Sequence, residues 1–183
     1  MKVILLGLLC SLSFSIFAQT EKEAVDAFFD ALIKSDYDLA SQQMDTIELQ
    51  KFHSFFVAIG QAEKLKNNYN KFAVGPFQKY KDIEEFKKVS PPKFFSDFLT
   101  FTLAQDQQMI QMLSNAKYKY VGSVKESDTA SYAIIKFGMN LGGETIEMTD
   151  VVPLIYRNGS FKLGLKADMQ IMAQAFKAQL SKT

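Results

Sequence analysis

The residues with the most chemical capacity in this 183-residue chain are a single histidine, one carboxylate in an apolar stretch and a few tyrosines. His53 follows Phe52 and borders the stripe Phe52, Phe56 and Ile59, which recurs at helical spacing. That places its imidazole either at a cavity mouth, titrating near neutral pH, or on the half-exposed flank of a helix with no task. Strand alternation puts Asp150 on one face with Ile146, Met148, Val152, Leu154 and Tyr156. Apolar neighbours disfavour the charged form of a carboxyl and raise its pKa, which suits it to act as a base or to pin the polar end of a ligand. The competing reading is a bulge near Pro153 that turns Asp150 to water. Asp150 and His53 form the acid-base pair to examine first, although nothing in their spacing shows that they meet.

Tyr118, Tyr120 and Tyr132 fall on the first two strands of the same region, and a ring with a polar tip suits the wall of a pocket. Ordinary sheet packing accounts for them equally well. Tyr118 and Tyr120 share a face, with Lys117, Lys119 and Val121 on the other. Phe56 belongs to a wider set: the chain has 17 phenylalanines and no tryptophan. The stripes Phe52 to Ile59, Phe94 to Leu99 and Met109 to Leu113 are core by default, and an excess of such residues lines apolar cavities.

The absences narrow the chemistry further. With one histidine, and Cys10 as the one cysteine, the chain lacks the donors for a protein-only zinc or copper site. Gly138, Gly142 and Gly143 fall between strands, not before a helix, so they form no phosphate-binding loop or dinucleotide fingerprint. A serine-hydrolase nucleophile elbow is missing too. No cofactor is therefore expected.

Lys2, the apolar run Val3 to Phe17 and then Ala18-Gln19 have the three-part pattern of a secretory leader cut after Ala18, which makes the expected location exported and periplasmic. Leu9 before Cys10 does not fit the small residue that a lipid-attachment site needs, so a cleaved leader is favoured over a lipid anchor. The run is shorter than the roughly 20 residues of a membrane span, and no later segment is long and apolar enough. Without Lys2 the charges balance at twenty basic and twenty acidic side chains. Such a chain has no long-range field to draw in nucleic acid or an anionic membrane.

The elements that must position these residues form one domain. Thr20-Glu21-Lys22-Glu23 is a capping box that opens a helix carrying Val25, Phe28, Phe29 and Leu32. Ser35-Asp36 caps a second helix, Tyr37 to Met44, with Leu39, Ala40 and Met44 turned inward. Asp45 starts a third, whose stripe of Phe52, Phe55, Phe56, Ile59 and Ala62 runs on to about Asn68. Gly75-Pro76 breaks the pattern, after which Phe77, Tyr80, Ile83 and Phe86 are the residues to bury. Ser90-Pro91-Pro92 starts a helix that reaches about Ser114. From Lys117 to Lys166 four β-runs are separated by turns at Glu126-Ser127-Asp128, Leu141-Gly142-Gly143 and Asn158-Gly159. The last is a type I′ hairpin. Met169, Met172, Ala173 and Phe176 form a final amphipathic helix over residues 167–181. The expected class is α+β: N-terminal helices on a curved antiparallel meander, with a C-terminal helix.

This order, with Ala31-Leu32-Ile33-Lys34-Ser35-Asp36-Tyr37-Asp38 at the first helix joint and the closing hairpin Pro153 to Leu163, resembles the nuclear-transport-factor-two-like (SnoaL-like) superfamily, in its exported bacterial branch. The resemblance implies a cone-shaped α+β fold and a strand after the second helix, and residues 71–115 depart from the compact pattern. Enzymes, ligand binders and interaction modules all share that scaffold. Three functions follow as expectations: non-catalytic binding of a small apolar ligand or envelope protein; a cofactor-free isomerase, dehydratase or hydrolase using Asp150 with His53; or an assembly module using the outer sheet face. Lys162 and Lys166, placed on that face, would need pairing in a dry interface, which points to a monomer or weak dimer.

Overall fold

The computed structural model describes residues 19–104, 107–141 and 144–180. Residues 1–18, on which the expected leader falls, and the expected turn at Gly142-Gly143 lie outside the described residues. Helix α1 (Glu21–Ile33) opens on the reciprocal capping box: the Thr20 amide donates to Glu23 Oε2 at 2.8 Å, and the Glu23 amide donates to Thr20 Oγ1 at 3.3 Å. Helix α2 (Tyr37–Gln42) is capped by Asp36, which accepts from the Leu39 amide at 2.9 Å. It packs on a later helix through Tyr37, Ala40 and Ser41, whose spacing makes one face. Leu39, expected inside, falls on the other side and is 42% exposed.

Helix α3 (Thr46–Leu65) starts at the buried Asp45, whose Oδ1 accepts from the Ile47 and Glu48 amides at 3.0 and 3.1 Å. Its buried stripe runs Leu49, Phe52, His53, Phe56, Ile59, Gly60 and Glu63. The stripe continues from Ile59 and Gly60 to Glu63, four and three residues on, and the expected Ala62 is exposed. The chain then makes α4 (Tyr69–Phe72), a 3-10 turn (Gly75–Phe77) and α5 (Ile83–Lys88). Phe77, Tyr80, Ile83 and Phe86 are all buried, as expected, although only Ile83 and Phe86 share a helix, and Phe72 joins them. Helix α6 (Pro91–Ala104) buries Phe94, Phe95, Phe98 and Leu99, and α7 (Gln107–Ser114) leads to the sheet. The side chains of Met109 and Met172 lie outside the described residues.

Strands β1 (Lys117–Lys125), β2 (Ala130–Leu141), β3 (Glu144–Arg157) and β4 (Ser160–Leu163) form a curved antiparallel meander in chain order. Asn158 and Gly159 take φ values of 53° and 81°, the left-handed conformations of the expected hairpin turn. β2 and β3 pair residue for residue from Ala130 opposite Ile155 to Leu141 opposite Glu144. The bulge lies in β1, where the register passes from Tyr120 opposite Ile135 to Gly122 opposite Ile134. One sheet face buries Ala133, Ile135, Val152 and Leu154 beneath α1, whereas Val121, Tyr132 and Val151 on the other are exposed. Between α2 and α3, Met44 makes a single parallel bridge to Leu163. Helix α8 (Ala167–Leu180) docks on α3, with Phe176 5.8 Å from Phe56 and 5.4 Å from Phe77 between ring centroids.

Candidate binding groove

His53 is 4% exposed, neither at a cavity mouth nor on a half-exposed flank. The α5 and α6 helices cover that side of α3, packing the tilted rings of Phe86 and Phe94 against the imidazole at 4.8 and 5.6 Å. Its Nε2 lies 3.2 Å from the Phe86 carbonyl, a contact that holds a proton on Nε2 because a carbonyl only accepts. Burial lowers its pKa, and the bond to Phe86 opposes this in part.

Asp150 does share a face with Val152 and Leu154, since it pairs with the buried Ile135 without any bulge. Its carboxylate is bound to Lys166, and also accepts from the Val151 amide at 2.8 Å. It lines a shallow depression of about 420 Å³ with Tyr132 and Lys166. The structure therefore gives His53 and Asp150 different partners, and Tyr132 borders the same depression as Asp150 from the opposite face of the sheet. Tyr132 is on the outer face, where the Glu126 carboxylate raises its pKa.

Tyr118 and Tyr120 turn to the helices and are tied to α1. The Tyr118 hydroxyl donates to Asp30 Oδ1 at 2.7 Å, and burial together with that carboxylate raises its pKa. Tyr120 donates to Glu21 at 3.4 Å. Glu21 also receives Ser123 and Ser131, the latter at 2.5 Å; burial pushes its pKa up and these bonds more than reverse that. The two tyrosines thus fasten α1 to the sheet. Asp45 does the same for α3 by accepting from Arg157 Nε at 3.0 Å.

Phe56 is the sequence candidate that reaches a cavity of apolar character. Together with Val74, Phe77, Phe98, Phe101 and Phe176 it lines a groove of about 370 Å³ between α3, the 3-10 turn, α6 and α8. The rings interlock at the back of the groove: Phe56 lies 4.9 Å from Phe77, and Phe77 is stacked 5.7 Å from Phe94. At the front, Gly75 has φ +59°, and a Cβ there would come within 3.3 Å of the Phe101 ring. Only a glycine lets the turn adopt this left-handed conformation and approach so closely without strain.

A polar cluster at one end of the groove escaped sequence reasoning. Asp97 on α6 is 8% exposed and collects Lys79 Nζ at 2.6 Å, Lys93 Nζ at 3.2 Å and the Tyr80 hydroxyl at 2.7 Å. Burial raises the Asp97 pKa, and the bonds from Lys79, Tyr80 and Lys93 outweigh it, so the carboxyl is held below its usual value. Burial and the same contact raise the Tyr80 pKa. The Lys93–Asp97 pair follows from i,i+4 helical spacing, whereas Lys79 and Tyr80 reach Asp97 only through the path of residues 73–82.

A further depression, of about 250 Å³, lies over Gly138 on the outer face, among Lys117, Lys119, Lys136 and Glu147. Lysines on an edge strand such as β1 blunt edge-to-edge pairing, which accounts for Lys117 and Lys119. Among the described residues no group of three or more acidic, histidine or cysteine side chains is placed to hold a metal, and no helix is long and apolar enough to cross a membrane. No family model, curated protein or solved structure matches the chain.

Proposed function

We propose that the chain is an exported, non-catalytic domain of the cell envelope that binds a small apolar ligand in the groove between α3, α6 and α8. The groove carries this reading: an aromatic-walled space of about 370 Å³ falls within the roughly 300–1,000 Å³ of small-molecule sites. Removing apolar ligand surface from water supplies the binding energy, at about 25 cal/mol per Å². The interlocked rings behind it form a wall prepared before binding, which limits the ordering cost.

The leader pattern supports the export. The order of helices and meander, with Met44 bridged to Leu163 where the superfamily pattern expects a strand, favours a relative of the cone-shaped superfamily. The alternative acid-base enzyme draws no support from the placement of its two residues, because His53 is committed to a carbonyl and Asp150 to Lys166. The test is native mass spectrometry of the protein purified from its own host. A bound mass released by organic solvent is the expected result. A bare polypeptide that also fails to take up added decyl alcohol would overturn the proposal.

A further inference from the structure

The outer face of the sheet carries a charge cluster that the groove does not use. In the β1–β2 register Lys117 stands opposite Gly138, and Lys119 stands opposite Lys136. Directly opposed side chains lie about 5 Å apart at Cβ and diagonal ones about 7 Å, so three long lysine side chains converge on one spot. Gly138 is the floor of that spot. A Cβ there would find no heavy atom nearer than 3.9 Å, and the missing side chain leaves the depression of about 250 Å³ that the three lysines border with Glu147.

The charge in this depression is uncompensated. Lys117, Lys119 and Lys136 are exposed, and among the described residues neither they nor Glu147 takes part in an ion pair. Three ammonium groups against one carboxylate leave two positive charges in surplus. Glu147 stands beyond Gly138, two strands from Lys117, a separation of roughly 9–10 Å at ordinary strand spacing. Like charges directly opposite each other destabilise a sheet, and Lys119 with Lys136 is such a pair. Edge protection calls for lysines on β1 and gives no reason for one on the interior strand β2. An anion seated between the two ammonium groups turns their repulsion into attraction.

We propose that the depression over Gly138 is a second binding site, for a doubly charged oxyanion: a phosphate monoester whose oxygens accept from Lys117, Lys119 and Lys136. Its two charges match the surplus of the site. Each ammonium has three N–H donors and serves phosphate as a point charge. The site lies on the sheet face opposite the one that α1 covers, so it neither needs nor excludes the apolar ligand of the groove.

Amide NMR of the full-length exported chain tests this, with inorganic phosphate titrated against sodium chloride at matched ionic strength and at about pH 8, where phosphate is mostly doubly charged. The expected result is a saturable shift of the Phe137 and Gly138 amides with phosphate and none with chloride. Lys136→Gln should bind about two- to five-fold more weakly, the size of one exposed ion pair, and Glu147→Gln more tightly. Gly138→Val, which fills the floor and keeps every charge, should abolish the shift at Phe137. Without phosphate, Lys136→Gln should melt no lower than wild type, because the substitution relieves the like-charge pair. Flotation with vesicles of phosphatidylcholine and phosphatidic acid, against phosphatidylcholine alone, identifies the source: capture by the first assigns the phosphate to a lipid headgroup, and phosphate shifts without capture assign it to a soluble ester. No saturable shift, an equal shift with chloride, or an affinity unchanged in Lys136→Gln overturns the site. A Lys136→Gln variant that melts below wild type also overturns it, since the lysine then serves the fold. None of these results bears on the groove reading.

Discussion

His53 is neutral in the fold because burial against Phe86 and Phe94 disfavours its charged form more than the bond to the Phe86 carbonyl favours it. The unfolded imidazole keeps a pKa near 6.5, so below that pH the unfolded chain binds a proton that the native chain refuses. Stability is therefore fully present above about pH 6.5 and declines as pH falls from there toward the lowered native pKa. The urea midpoint of wild type should drop between about pH 7 and pH 5.5, with a smaller drop in His53→Gln. Equal drops in the two proteins would show that the imidazole is not buried in its neutral form. In the sequence this residue was legible only as a neighbour of an apolar stripe. Its burial depends on α5, a six-residue helix that propensity alone barely defines.

At the scale of elements, local chemistry was the readable part. The Thr20 box, the Asp45 cap and the Asn158-Gly159 turn are each set by residues within a few positions of one another, and each is present. Leu39 and Ala62 were misplaced because the inward face of a helix is chosen by what packs on it, here α6 for α2, and α4 and α5 for α3. Gly60 records the second of these contacts. A Cβ there would come within 2.5 Å of Ile83 Cδ1 and 2.9 Å of the Phe72 ring, so α3 has a glycine in mid-helix to admit α4 and α5. Gly60→Ala should gain about 1 kcal/mol of helix propensity and lose more than that to overpacking, for a net destabilisation of about 1–2 kcal/mol. Urea denaturation measures this directly; a stabilised variant would mean that the three elements are packed more loosely than described.

Across the whole molecule, the outer sheet face and the groove are the two surfaces on which function could be sought. Sequence alternation placed Lys162 on the outer face, and it does pair there with Ile155, whereas Lys166 lies past the end of β4 and Tyr132, offered as a pocket residue, stands on the outer face. Lys162 donates to the Gln42 carbonyl at 3.1 Å, and Lys166 binds Asp150. The groove was legible only as a surplus of phenylalanines including Phe56. Its walls come from α3, α6 and α8, which lie far apart in the chain, and its polar end depends on an irregular path through residues 73–82 that no periodicity reveals. The C-terminal helix completes the groove by docking on α3.

The central claim is that this groove, and not the sheet, receives the ligand. Methyl-resolved NMR during titration with decyl alcohol tests it most directly, because alanine and valine probes stand at both places. Val74, Ala173 and Ala175 line the groove, and Val121, Val124 and Val151 are exposed on the sheet. Saturable shifts at Val74, Ala173 and Ala175, with Val121, Val124 and Val151 unmoved, are the predicted result. Shifts confined to the sheet valines, or no saturable shift at any of the six, would contradict the claim.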